Sequence, residues 1–167
     1  IQFKLEAAII DRRPEFEMAN RKLLHMIDFE RGVFCYDGRE YEMTDTFFPT
    51  IDPKNPYQLT PDEQELVEKI HISFINSEKL KKHMRCMLKN GCMYNVCNSN
   101  LLFHASVPLN ADGSLKDVLI DGKYYKGKAM LEKVGRLIRS AFNEDTASEE
   151  RLFARDYMWY LWCGKDA

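Results

Sequence analysis

The segment Asn98–Asn110, N-S-N-L-L-F-H-A-S-V-P-L-N, sets the tightest limit on what this chain can become. Leu101, Leu102 and Phe103 form an apolar run of strand length that meets His104 and stops at Pro108. The pattern predicts a buried strand with an imidazole at its end, held rigidly and facing whatever lies above the sheet. Two readings fit. Rigid placement is what a metal ligand needs. A hydrogen-bonded histidine at the rim of a core needs it equally.

At 167 residues the chain has the length of one domain or most of one. Its net charge of -2 argues against general nucleic-acid affinity. No stretch approaches the ~20 apolar residues of a membrane span. The first residues, Ile1-Gln2-Phe3-Lys4, carry no signal-peptide pattern. They read as an amphipathic helix already under way, with Phe3, Ala7 and Ile10 on its inner face. The last residues stop just after Gly164, which is placed to end a helix. Both edges give the expectation of a piece of a larger protein. The five cysteines include no C-x-x-C pair, although Cys86, Cys92 and Cys97 lie close together. Reduced and mostly buried thiols in a cytoplasmic protein are therefore expected rather than a structural zinc site.

Residues 1–27 read as two helices broken near Arg12-Arg13-Pro14, because proline removes a backbone donor and turns its predecessor away from helix. The two arginines suit either a phosphate or a solvated corner. His25, among Leu23, Leu24, Met26 and Ile27, is expected to be packed. Val33-Phe34-Cys35-Tyr36, Asp37-Gly38 and Arg39 to Met43 form a β-hairpin signal. Thr44 to Leu59, with Pro49, Pro53 and Pro56, reads as an ordered extended connector that packs through Phe47, Phe48 and Tyr57. Thr60-Pro61-Asp62-Glu63 is a capping box opening a helix with Leu66, Val67, Ile70 and Phe74 inward. Ser77 opens a second helix, with Leu80, Met84, Met87 and Leu88 inward and Lys79, Lys81, Lys82, Arg85 and Lys89 mostly outward. Gly91 is placed to end it in the left-handed conformation. The lysine run fits a solvated face, or a means of steering an anionic substrate.

Met93–Val96 and Leu101–Ser106 read as strands joined at Cys97-Asn98-Ser99-Asn100. A polar turn follows at 110–114, then a small hairpin around Asp121-Gly122. Two helices close the chain, from about Gly127 to Phe142 and from about Ser148 to Cys163. The second is dense in aromatic residues, which are expected in a core or a domain contact. The chain contains no G-x-G-x-x-G, G-K-[ST], H-E-x-x-H or G-x-S-x-G. The residues by themselves lead to an α+β domain with one suggestive histidine.

Several longer words go further. Ser73-Phe74-Ile75-Asn76-Ser77-Glu78-Lys79-Leu80, Gly91-Cys92-Met93-Tyr94, Asn98 to His104 and Trp159-Tyr160-Leu161-Trp162-Cys163-Gly164 are similar to the class III (Firmicutes-type) fructose-1,6-bisphosphatases. So are Phe3-Lys4-Leu5-Glu6, Arg12 to Met18 and Phe48-Pro49-Thr50-Ile51-Asp52-Pro53. The resemblance covers essentially the whole chain and extends to the calcineurin-like metallophosphoesterases. It implies part of an α/β sandwich over residues 91–167, in which a strand hairpin carries a ligand histidine, and a mainly helical insertion over residues 1–90. It implies a dinuclear centre, typically of Mn2+, whose bound water attacks phosphorus in fructose 1,6-bisphosphate. The resemblance implies that His104 stands at a metal-binding position; the catalytic and substrate-contacting residues are left unassigned. Ala105 stands where close relatives have glycine after the histidine.

The early D-x-H, G-D-x-x-D-R-G and G-N-H-[DE] motifs and the late G-H motif of the superfamily are absent here. One ligand cannot hold two metals, so these residues alone are expected to be inactive and to need the remaining segments of the same polypeptide. Two other readings stay open. They are another metallophosphoesterase, such as a protein phosphatase, and a non-catalytic scaffold or oligomerisation segment. Assembly into a homo-oligomer is also left open.

Overall fold

The computed structural model describes residues 1–104 and 106–164. The architecture is α+β, and the chain divides into two compact units, residues 1–77 and 78–167.

The first unit opens with helix α1, Gln2–Arg12. Its buried face is Lys4, Glu6, Ala7 and Ile10, while Phe3 is exposed. Apolar spacing alone placed Phe3 inward; the structure buries the lysine because a partner waits for it. Lys4 Nζ donates to Glu63 Oε2 at 2.6 Å and to the Thr50 carbonyl at 2.6 Å. Pro14 ends the helix as expected, but no second α-helix follows. Three single 3-10 turns, Pro14–Phe16, Ala19–Arg21 and Leu24–Met26, take its place. Glu17 in the left-handed region, φ 52°, interrupts any longer helix there. Phe16, Met18 and Leu24 are buried by these turns. His25 is exposed rather than packed, with Nδ1 2.9 Å from the Tyr57 hydroxyl.

Strands β1 (Ile27–Asp28), β2 (Val33–Tyr36) and β3 (Arg39–Glu42) form an antiparallel sheet in that order. The β2–β3 turn has Asp37 at φ 50° and Gly38 at φ 71°, the positive pair that matches strand twist. In the connector, Phe48 meets Phe29 edge-on at 5.7 Å and Lys22 lies over the Tyr57 ring at 5.0 Å. Phe47 instead points to solvent. Helix α2, Pro61–Ile75, carries the predicted capping box: the Glu63 amide donates to Thr60 Oγ1 at 3.2 Å, and Glu63 Oε2 accepts from the Thr60 amide at 2.9 Å. Only Glu63 of this helix is buried; Leu66, Ile70 and Phe74 are exposed within this unit.

The second unit contains α3 (Glu78–Asn90), the β4 (Tyr94–Cys97) and β5 (Asn100–Phe103) hairpin, and the β6 (Val118–Ile120) and β7 (Lys123–Tyr125) hairpin. Helices α4 (Gly127–Phe142) and α5 (Ser148–Cys163) complete it. Its core is the α4–α5 pair. Leu131, Val134, Leu137 and Ala141 of α4 are buried, as are Phe153, Ala154, Tyr157 and Tyr160 of α5. Val118 and Ile120 of β6 are buried too. Phe153, Tyr157 and Tyr160 of α5 lie in the core, while Trp162 is exposed. The cysteines also depart from expectation. Cys35, Cys86, Cys92 and Cys97 are free and exposed, because three of them lie on hairpin strands or beside them and Cys86 lies on the open face of α3.

Candidate functional site

His104 follows the last residue of β5 directly and sits in a bend. The β4–β5 ladder pairs Tyr94 with Phe103, Asn95 with Leu102, Val96 with Leu101 and Cys97 with Asn100. Its turn is made by Asn98 at φ 49° and Ser99 at φ 63°. Asparagine adopts this geometry readily, and serine here follows it. The register puts His104 at the end of the ribbon opposite that turn, beside the point where the chain enters β4.

That end of the ribbon is tied to helix α4 at two points. Arg139 of α4 donates through Nη2 to the Gly91 carbonyl at 3.0 Å and through Nη1 to the Gly135 carbonyl at 2.9 Å. The Tyr94 hydroxyl donates to Glu132 Oε1 at 3.2 Å. Gly91 is required here for a reason other than the predicted one. It is not among the positive-φ glycines; a Cβ on it would lie 2.5 Å from the Met87 carbonyl oxygen. The last turn of α3 closes so tightly, with the Gly91 amide 2.7 Å from that oxygen, that no side chain fits.

Burial departs from the sequence reading. Leu101, Leu102 and Phe103 are exposed at 52, 54 and 42%, and His104 is exposed with them. The continuous apolar run marked the strand correctly, but burial needs a layer on top, and neither face of this two-stranded ribbon has one among the described residues. Ala105, the departure beside His104, lies outside the described residues.

The other candidates are scattered. Arg13 lies 3.8 Å from Glu15, His71 and His83 are exposed on α2 and α3, and His25 is bound to Tyr57. Among the described residues, no group of three or more His, Cys, Asp or Glu gathers closely enough to hold a metal ion. The described residues therefore do not by themselves fit a dinuclear centre. Asp112, in the polar turn that follows, is held below the ordinary carboxylate range by the hydroxyl and amide of Ser114. It belongs to the turn and not to His104. Arg139 and Glu132, which fix the ribbon, were not legible in the sequence, since each resembles any other charged residue on an amphipathic helix.

The chain matches the family described as Firmicute fructose-1,6-bisphosphatase over residues 1–167. It is 66% identical over its full length to a protein of Bacteroides fragilis named fructose-1,6-bisphosphatase class 3, covering 25% of that protein. A protein of the same name from Phocaeicola vulgatus is 64% identical, and one from Clostridium novyi 51%, each with 100% of this chain and 25% of the relative covered. The chain thus spans about a quarter of the length of the curated relatives it matches. No solved structure matches. With every described element lying inside one continuous match, the chain belongs to the Firmicute fructose-1,6-bisphosphatase family.

Proposed function

We propose that this chain forms part of a metal-dependent phosphatase that hydrolyses fructose 1,6-bisphosphate to fructose 6-phosphate and phosphate, a step of gluconeogenesis in the cytoplasm. The observation that carries this reading is the full-length identity to relatives named class 3 fructose-1,6-bisphosphatase. In this reading residues 91–167 are part of a calcineurin-like phosphatase core. Residues 1–90 are an insertion beside it, and the ribbon β4–β5 presents His104 as one ligand of a manganese site. A neutral imidazole is a suitable donor to such a metal. The remaining ligands come from other segments of the same polypeptide, since the described residues gather no group of metal-binding side chains.

The test is His104→Ala in the longer polypeptide. Loss of a partner one shell removed from a metal costs about 10–100-fold in affinity or activity, so loss of a direct ligand is expected to cost at least about a hundredfold in turnover. Bound manganese, measured by elemental analysis, falls with it. Unchanged hydrolysis and unchanged metal content would sink the assignment. The 167-residue chain alone is expected to show neither turnover nor tight manganese binding, read by calorimetric titration.

A further inference from the structure

The His104 end of the ribbon is also the end at which a strongly basic helix arrives. Helix α3 carries Lys79, Lys81, Lys82, Arg85 and Lys89 against one acid, Glu78, in a chain whose net charge is -2. Lys81 is spent on Glu78 at 2.8 Å. Lys79, Lys82 and Lys89 make no ion pair among the described residues, and all three are exposed. Lys82, Arg85 and Lys89 fall on one stripe of the helix.

Topology then sets the distance. Asn90 ends α3, Gly91 closes its last turn, and Tyr94 opens β4 directly opposite Phe103. Paired strand residues stand about 5 Å apart. Lys89 precedes Met93 by four residues, so it lies within roughly 15 Å of the point where the chain passes His104. Arg85 is one helical turn, about 6 Å, further back. Arg139 locks the junction by gripping Gly91 and adds its own positive charge there. Lys82 lies about 10 Å behind Lys89, so the stripe extends from roughly 15 to 25 Å from the point where the chain passes His104. That is about two to three screening lengths at ordinary ionic strength, but within the ~30 Å screening length at about 0.01 M, where its field acts without contact.

We infer that the stripe Lys82, Arg85 and Lys89 is an electrostatic guide that draws a doubly phosphorylated, polyanionic substrate toward His104. This deepens the phosphatase reading and rests on it. Each phosphate monoester carries about -1.5 to -2 at neutral pH, so a bisphosphate feels such a field more strongly than a monophosphate. These are steering residues and touch neither substrate nor metal.

The test is the ionic-strength dependence of kcat/KM for fructose 1,6-bisphosphate in the longer polypeptide. It compares wild type with a Lys82→Gln, Arg85→Gln, Lys89→Gln variant. At low salt the variant is expected to be about tenfold slower in kcat/KM, and the two curves converge at high salt. The wild type by itself should decline as salt is added, a readout that needs no variant. Equal salt slopes in the two proteins would overturn the guide. So would a deficit that persists at high salt, because that marks direct contact or damage to the fold. Failure of the parent reading looks different: His104→Ala would then retain turnover whatever the salt slopes show.

Discussion

Glu63 performs two jobs with one carboxylate. It completes the capping box of α2, and it neutralises Lys4, which at 4% exposure is buried among the apolar core residues of its unit. Burial by itself pushes this carboxyl up; hydrogen bonds from Lys4, the Thr60 amide and the Thr50 side chain outweigh it and hold the pKa down at about 2, against an ordinary 4.5. A carboxyl with a depressed folded-state pKa contributes stability that is fully present above about 4.5 and is lost as pH falls toward 2. Unfolding followed at stepped pH should therefore show stability falling across that window. Lys4→Met leaves a buried charge uncompensated and is expected to cost about 3–5 kcal/mol. Adding Glu63→Gln, which keeps the cap acceptor but removes the charge, should recover much of that loss and flatten the acid dependence. A double variant no more stable than Lys4→Met would show that the pair is not what holds α1 to the start of α2. The sequence displayed the capping half of this arrangement, because its partners are three residues apart. It hid the other half, because Lys4 and Glu63 are 59 positions apart.

At the scale of elements, local chemistry was read well and burial badly, and the reason is distance along the chain. Asp37-Gly38, Asn98-Ser99 and Asp121-Gly122 all adopt paired positive φ values, so three hairpins are specified by their own turn residues. Helices α4 and α5 begin and end where their patterns predict. The faces of α2 and of β4–β5 were assigned inward from apolar spacing, which says that a face wants cover but not what covers it. Gly91 shows the same limit. Its position after α3 was evident, but the 2.5 Å clearance to the Met87 carbonyl was not. Gly91→Ala forces backbone to move, and an overpacked site of this kind is expected to lose about 1–3 kcal/mol. Gly38→Ala meets nothing within 4 Å and suffers only the strain of φ 71°, so about 1 kcal/mol is expected. Denaturant titration of the two variants separates steric closure from backbone conformation. Equal losses would mean that the close approach of α3 to Gly91 does not matter.

For the molecule as a whole, what the described residues leave exposed is as informative as what they bury. The second unit has a packed α4–α5 core, yet Val96, Leu101, Leu102 and Phe103 stand open on a ribbon of two strands. Such a ribbon is marginal in water without further strands or a helix against its apolar face. The relatives are about four times as long as this chain, and the proposed phosphatase core needs a larger sheet around His104. If the ribbon is an inner part of that sheet, its stability is supplied by segments beyond residue 167 or before residue 1. Amide hydrogen exchange then gives a sharp contrast. In the 167-residue chain, the amides of β4 and β5 should exchange orders of magnitude faster than those of α4 and α5, because local opening costs little where few apolar contacts hold a segment. In the longer polypeptide the same amides should become as protected as the α4–α5 core. Rapid exchange of β4–β5 in both would mean that the ribbon lies on the outside of the complete protein. His104 would then stand at a solvent edge with no lobe to share a metal.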